Sequence, residues 1–312
     1  MVSHQVIVNP TAGRGAGGRA IPEIRRLLDE HGVTFDLVET ERPWHAAELA
    51  QQAAIDGYDV VVAVGGDGTA NEVLNGLMAA RSEGVDSTAL GVLCAGRGND
   101  FAYGMGVPQD LASACRLLAQ GARRRIDVGH VTGGRYPEGR YFGNGIGIGF
   151  DAVVGFVAKD MRCLSGFASY IAAVFKTVFL YYQAPLTEIT LDEGTITQPS
   201  LMVSVMNGRR MGGGFMMAPD SAPDDGLFDL CIAHEVSRAR IFGLIPHFIR
   251  GTQASQAPIR MARARRVVVT ARRGVLPAHG DGETLSREGL QLTIELVPQA
   301  LDIVCQPPEG AG

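Results

Sequence analysis

The stretch VVVAVGGDGTANEVLN, residues 60–75, is the part of the chain on which its fold turns. Val60, Val61, Val62, Ala63 and Val64 form a continuous apolar run, the pattern of a strand buried on both faces. Gly65, Gly66 and Gly68 then let the backbone turn tightly and come close to a ligand. From Thr69 the spacing becomes helical, with Val73, Leu74 and Leu77 on one face, so the turn opens on a helix N-terminus. Such an end carries free N–H groups and a partial positive charge, which suit phosphate. Asp67, inside the turn, would repel a bare phosphate and is expected to reach a metal ion or an acceptor hydroxyl. Taken alone, the string also describes an ordinary tight turn with an Asx-type hydrogen bond.

On either side the same alternation recurs. Strands are expected at 5–8, 34–39, 58–64 and 90–94, and helices at 21–31, 44–56, 71–81 and 111–120. Repeated strand–helix units imply a mainly parallel sheet covered by helices, with ligands at the carboxyl ends of its strands. Past Ile126 the texture changes to strands separated by Gly, Pro and Asp turns, at 141–149, 186–191, 200–207, 227–233, 264–271, 278–279, 290–296 and 301–304. Only 151–183 and 237–251 look helical there. The expected fold class is therefore an α/β N-terminal domain, residues 1–127, followed by an antiparallel β-sandwich with a helical insertion, residues 128–305, and a tail, 306–312.

A chain of 312 residues is long enough for two domains, and 46% hydrophobic residues suffice for two cores. A net charge of −5 argues against nucleic acid as a partner. Cys94, Cys115, Cys163, Cys231 and Cys305 are scattered and lack CxxC spacing, which suits buried thiols in a reducing compartment. The start, MVSHQVIVNP, lacks the charged and apolar regions of a secretory leader. The apolar run 165–182 is interrupted by Lys176 and is expected to pack as an aromatic-rich helix rather than span a bilayer.

Three further segments carry candidate chemistry. NPTAGRGAGG, residues 9–18, has glycines that could cradle phosphate but is not a Walker A loop. AGRGND, residues 95–100, again joins glycines to an acid after a strand. GDGET, residues 280–284, offers Asp281 and Glu283, which can converge on one ion or hydroxyl or mark a plain hairpin turn. In addition, the acid-rich stretch APDSAPDDGLFD, residues 218–229, suits a hard cation or a solvated loop. Arginines at 123–125 and at 260, 263, 265, 266, 272 and 273 form either a positive patch for anionic lipid or nucleotide phosphates, or a solvated face.

With Asn9-Pro10-x-Ala12-Gly13, Gly65-Gly66-Asp67-Gly68-Thr69-x-Asn71-Glu72, Gly96-x-Gly98-Asn99-Asp100-Phe101-Ala102 and Asp281-Gly282-Glu283 in this order, the chain resembles the diacylglycerol kinase catalytic family. The likeness is to its bacterial lipid kinases and runs from about Val6 to Val304. The resemblance implies an active site in a cleft between two domains, with Asn9, Thr40, Gly65, Gly66, Asp67, Gly68, Thr69, Asn71, Glu72, Gly96, Arg97 and Asn99 around ATP. Asp67 would help hold catalytic Mg²⁺, with Asp100 and Asp127 extending an acidic network behind it. The resemblance makes one or the other of Asp281 and Glu283 the base that takes the proton of the lipid hydroxyl; Asp281 is favoured for it and Glu283 as a metal contact, with the reverse order left open. A structural Mg²⁺ would be bound by the Asp225 side chain and the carbonyls of Ala222 and Leu227.

Arg97 stands where family members usually carry Thr, and its cation could reach a phosphate, stack on adenine or obstruct the site. The expected function is an ATP-dependent lipid kinase acting on diacylglycerol or a related lipid. It would work at the cytoplasmic membrane face through peripheral contact, a homodimer being compatible with it. The competing readings are a NAD kinase, which shares GGDGT, and a non-catalytic nucleotide-binding regulator.

Overall fold

The computed structural model describes residues 2–96, 98–160 and 167–306, with Asp160 described through its backbone alone. The chain divides into unit 1, residues 1–128 with 298–312, and unit 2, residues 129–297.

In unit 1, β1 (Ser3–Val8), β2 (Thr34–Glu39), β3 (Val60–Gly65) and β4 (Ala89–Cys94) pair in parallel in the order β4-β3-β1-β2. Between them run α1 (Ala12–Glu30), α2 (His45–Ile55) and α3 (Asp67–Ser82), followed by α4 (Asp100–Met105) and α5 (Leu111–Gln120). Every residue of β3 is buried, as its unbroken apolar run implies. Val6, Val8, Val60, Val62 and Val64 join Ile24 and Leu28 of α1 and Cys115 and Leu118 of α5 in one core cluster. The helix α2 packs on α3. Gly76 permits that approach, because a Cβ there would come 2.2 Å from the Ala47 carbonyl oxygen.

Unit 2 contains β5 (Arg123–Gly133, entering from unit 1), β6 (Tyr136–Phe142), β7 (Gly145–Gly149), α6 (Phe150–Asp160), α7 (Phe167–Leu180), β8 (Leu186–Leu191), β9 (Gly194–Met206) and β10 (Phe228–His234). There follow α8 (Arg238–Arg250), β11 (Ile259–Ala264), β12 (Arg266–Arg273), β13 (Leu276–Gly280), β14 (Glu283–Gly289) and β15 (Gln291–Val304). Its strands pair antiparallel, and β9 pairs β8 through its first half and both β7 and β10 through its second. Along β9 the side chains alternate. Val203 and Val205 enter the inter-strand core with Phe142, Phe228 and Ile294, whereas Met202 and Met206 pack with α6, α7 and α8. This is the antiparallel sandwich with helices on one outer face.

Several boundaries differ from expectation. The strand expected at 141–149 is broken after Phe142 and resumes at Gly145, because the amides between are drawn to a carboxylate described below. The two strands expected at 290–296 and 301–304 are one strand, β15, with Gln299 at φ 46°. Its end pairs with β4 through Ile303 and Leu90, and Cys305 N–H donates to Ala122 O at 3.1 Å, so residues 298–306 pack with unit 1. The helical stretch 151–183 resolves into α6 and α7, with 161–166 and Cys163 outside the described residues. The arginine clusters are largely spent internally: Arg266 pairs with Glu295, Arg272 with Glu188, and Arg125 with Asp86 and Asp302.

Candidate active site

Asn9 follows β1, Thr40 follows β2, Gly65 ends β3 and Gly96 lies just past β4, so parallel pairing alone brings these positions to one edge of the unit 1 sheet. The glycines there let bare backbones meet. A Cβ on Gly96 would come 2.3 Å from Gly66 Cα, and one on Gly13 would come 2.2 Å from the Ala95 carbonyl oxygen. Asn9 ties the first loop to α3: its Nδ2 donates to Thr69 Oγ1 at 3.1 Å, while its Oδ1 accepts from Thr11 N–H at 3.1 Å. Thr40 N–H donates to Val8 O at 2.8 Å and holds the end of β2 beside this loop.

Gly66 is the N-cap of α3, and Asp67 is its first helical residue, where the helix dipole favours an acid. The carboxylate turns toward the start of α4, where its Oδ1 accepts from Phe101 N–H at 2.9 Å. Burial raises the Asp67 pKa, and the amides of Phe101, Asp100 and Asn99 oppose that rise. Gly98 leaves room between two acids: a Cβ there would lie 3.1 Å from Asp67 Oδ2 and 3.5 Å from Asp100 Oδ2. Beside them Asn99, in the left-handed conformation, buries an Oδ1 that has no hydrogen-bond partner among the described residues.

Of the remaining unit 1 candidates, Glu72, Asn71 and Asp127 have hydrogen-bond partners within the chain. Glu72 Oε2 accepts from Ala46 N–H at 3.3 Å and ties α3 to the start of α2. Asn71 is buried on α3 and accepts from Asn75 Nδ2. Asp127 is fully buried and accepts from Gln299 N–H at 2.7 Å. Gly68 lies in the first turn of α3, and Arg97 lies outside the described residues. Among the described residues no three of His, Cys, Asp and Glu gather to hold a metal ion.

In unit 2 the DGE segment is a two-residue hairpin turn between β13 and β14, closed by the pair Gly280–Glu283. Asp281 and Gly282 have φ of 46° and 85°, as such a turn requires. The Asp281 side chain reaches the break between β6 and β7. Its Oδ2 accepts from Gly143 N–H at 2.6 Å and Asn144 N–H at 3.1 Å, and its Oδ1 from Gly145 N–H at 3.0 Å. Asp281 is only 6% exposed, while Glu283 is partly exposed. The favoured base is thus a carboxylate whose lone pairs are already committed, and the freer acid is its neighbour.

Asn144 and Asn207 complete this corner and were not singled out from the sequence, where each begins an Asn-Gly pair that reads as a turn. Asn207 Nδ2 donates to Gly143 O at 2.9 Å, and Asn144 Nδ2 to Arg210 O at 3.1 Å. In the 218–229 loop, Asp225 is ion-paired with Arg263, and its Oδ1 accepts from Leu227 N–H at 3.1 Å. Arg263 also lies 3.4 Å from Asp229 Oδ1. A guanidinium therefore neutralises the carboxylate expected to hold a structural cation with Ala222 and Leu227.

The family model for the diacylglycerol kinase catalytic domain matches residues 3–131, and that for the YegS C-terminal NAD kinase beta sandwich-like domain matches residues 144–305. The chain belongs to the diacylglycerol kinase catalytic family. A protein named diacylglycerol kinase from Bacillus subtilis is 29% identical over 85% of this chain and 84% of its own length. One of the same name from Mycobacterium tuberculosis is 27% identical over 97% of this chain and 95% of its own. A crystal structure described as a diacylglycerol kinase from Bacillus anthracis covers 98% of this chain and 97% of its own with a TM-score of 0.73, at 21% identity, and shares the fold. By its family the chain is a kinase.

Proposed function

We infer that the chain is an ATP-dependent lipid kinase that transfers the terminal phosphoryl group to the hydroxyl of diacylglycerol or a related lipid. The observation that carries this reading is a pocket in unit 2 walled almost wholly by apolar side chains, among them Val154, Tyr170, Met202, Phe215, Leu244 and Phe248. An acyl chain suits such walls. NAD, a charged and polar dinucleotide, does not, which sets the NAD kinase reading behind.

ATP would lie at the glycine turns of unit 1, with Asn9 and Thr69 fixing the loop and the open Oδ1 of Asn99 accepting from the nucleotide. Asp67 and Asp100 would hold Mg²⁺, which when bound neutralises phosphate charge. Glu283, rather than Asp281, would accept the acceptor's proton as its oxygen bonds to the γ-phosphorus. The bond from that phosphorus to the β–γ bridging oxygen then breaks, and ADP leaves. Asp281 would position Glu283 by locking the hairpin against the β6–β7 break.

Contact with the membrane would be peripheral, at the cytoplasmic face. Among the described residues no helix is long and apolar enough to cross a bilayer. Phe179 and Leu180 of α7 are 62% and 64% exposed, and Ile249 of α8 is exposed as well. Phe242 of α8 joins them by ring contact with Phe175 and Phe179 at 4.9 and 6.0 Å. Lys176 and Arg250 on the same helices suit an anionic surface.

A mass-spectrometric screen of purified protein with ATP, Mg²⁺ and a panel of lipid alcohols tests the assignment. Transfer to diacylglycerol or a related lipid, lost in Glu283→Gln, is the expected result. Phosphorylated NAD with untouched lipids would establish the competing enzyme, and no turnover above the Glu283→Gln background would establish a regulator.

A further inference from the structure

The unit 2 pocket carries a feature that the kinase chemistry leaves unused. Besides the Tyr170 phenol, two titratable side chains interrupt its apolar wall, Asp151 at the start of α6 and His279 on β13. Both are drawn to one point over β7. A Cβ on Gly147 would come 2.4 Å from Asp151 Oδ2 and 2.6 Å from His279 Nε2, so the glycine makes room for both polar atoms. Asp151 Oδ2 accepts from Ser204 Oγ at 2.9 Å, and its Oδ1 from Ala152 N–H at 2.9 Å. No cation among the described residues pairs with it. His279 is 8% exposed, and its Nε2 is buried with no partner among the described residues. An orphaned ring nitrogen beside a carboxyl inside an apolar pocket is costly unless a ligand completes it.

We propose that Asp151 and His279 form a polar anchor in this pocket that binds the uncharged hydroxyl or ester head of a single-chain or two-chain lipid, the chain filling the apolar remainder. The proposal takes its ligand class from the lipid-kinase reading and deepens it by naming a neutral head. Burial pushes the Asp151 carboxyl up to about 7 and the His279 imidazole down to about 4, so between those values both are uncharged and together offer a donor and an acceptor. A hydroxyl needs that combination. An ammonium or a carboxylate entering the same walls would lose its hydration against uncharged partners. The anchor also lies close to the proposed base: His279 pairs with Thr284, and the next pair of the hairpin is Gly280–Glu283.

The test is calorimetric titration of the full chain at pH 6.5 with 1-octanoylglycerol, octanoate and octylamine, each below its micelle concentration. The glycerol ester should bind at least tenfold more tightly than either charged ligand. Asp151→Leu and His279→Leu should each weaken it about tenfold, and Val154→Trp should abolish binding by filling the pocket. Equal or tighter binding of octylamine or octanoate overturns the neutral-head assignment, and binding indifferent to Val154→Trp overturns the site. If the variants fail to fold, wild-type protein labelled with ¹⁵N-histidine decides. A buried-imidazole nitrogen resonance should shift with 1-octanoylglycerol, and an unmoved set of histidine resonances at saturation overturns the anchor. Phosphoryl transfer is assayed separately. Selective binding without phosphorylation would sink the kinase reading alone, and phosphorylation without selective binding would sink the anchor alone.

Discussion

Asp281 and Glu283 are two residues apart and share one hairpin, yet their environments divide their roles. The Asp281 carboxylate accepts from three successive backbone N–H groups, which hold it against the β6–β7 break. Glu283→Gln should therefore lower kcat by about 10²–10⁴ with little change in KM, the range for loss of a general base. Asp281→Asn should act differently, through the strand break: an amide cannot accept from all three N–H groups, and about 1–3 kcal/mol of stability should be lost for each buried donor left unpaired. Chemical denaturation together with steady-state kinetics separates the two. An Asp281→Asn protein of native stability with a kcat loss equal to that of Glu283→Gln would return the base to Asp281.

The pocket pair Asp151, which is half-buried, and His279, which is buried, gives a second prediction at this scale. Asp151 keeps its proton up to about pH 7 in the folded chain and loses it near 3.9 when unfolded, so its contribution weakens as pH rises through that window. His279 stays neutral down to about pH 4 when folded but protonates near 6.5 when unfolded, so its contribution weakens as pH falls through its own window. The two slopes oppose. Relative to wild type, Asp151→Asn should gain stability between pH 4.5 and 6.5 by roughly 2 kcal/mol, and His279→Leu should lose a similar amount over the same range. Urea midpoints across that range check both signs, and parallel profiles for the three proteins would refute the argument.

Among the elements, the loop before β10 sets its acids beside an arginine of the next strand. Asp225 and Asp229 share Arg263 of β11, a pair whose side chains are 33% and 15% exposed against 48% for the arginine. Ion pairs this exposed contribute little, so Arg263→Ala should cost about 1 kcal/mol or less. Chelation by EDTA should leave the melting temperature of the wild-type protein unchanged, and a clear fall would restore a structural metal to this loop. The helices α7 and α8 divide by face, Val174 and Leu244 toward the pocket and Phe179 and Ile249 toward solvent. Phe179→Asp should reduce sedimentation with anionic vesicles about tenfold. Unchanged co-sedimentation would remove this face from the membrane.

For the whole molecule, the contribution of residues 298–306 to unit 1 has a practical consequence. Leu301, Ile303 and Val304 are buried there, and Arg81 donates to the Ala300 carbonyl. Truncation after Val297 should thus destabilise unit 1, seen by calorimetry as a lowered or missing transition and, on the proposed function, as a loss of ATP binding. Retention of both would show that the β4 edge needs no partner.

The residues read from the chain alone were those whose signal is local. A five-residue apolar run has to be a buried strand, a glycine turn before a helical period has to open a helix, and an Asp-Gly pair between strands suits a hairpin; these determined the parallel half, the edge where Asn9, Gly65 and Gly96 meet, and the β-rich second half. Tertiary structure alone decided which acid is free. The Asp281 carboxylate accepts from amides more than 130 positions away, and Asp225 pairs with Arg263 of another strand. It also decided that Asp151 and His279 share a pocket and that β15 closes both units, because burial and hydrogen-bond partners come from residues distant in the chain, and neither period nor motif records them.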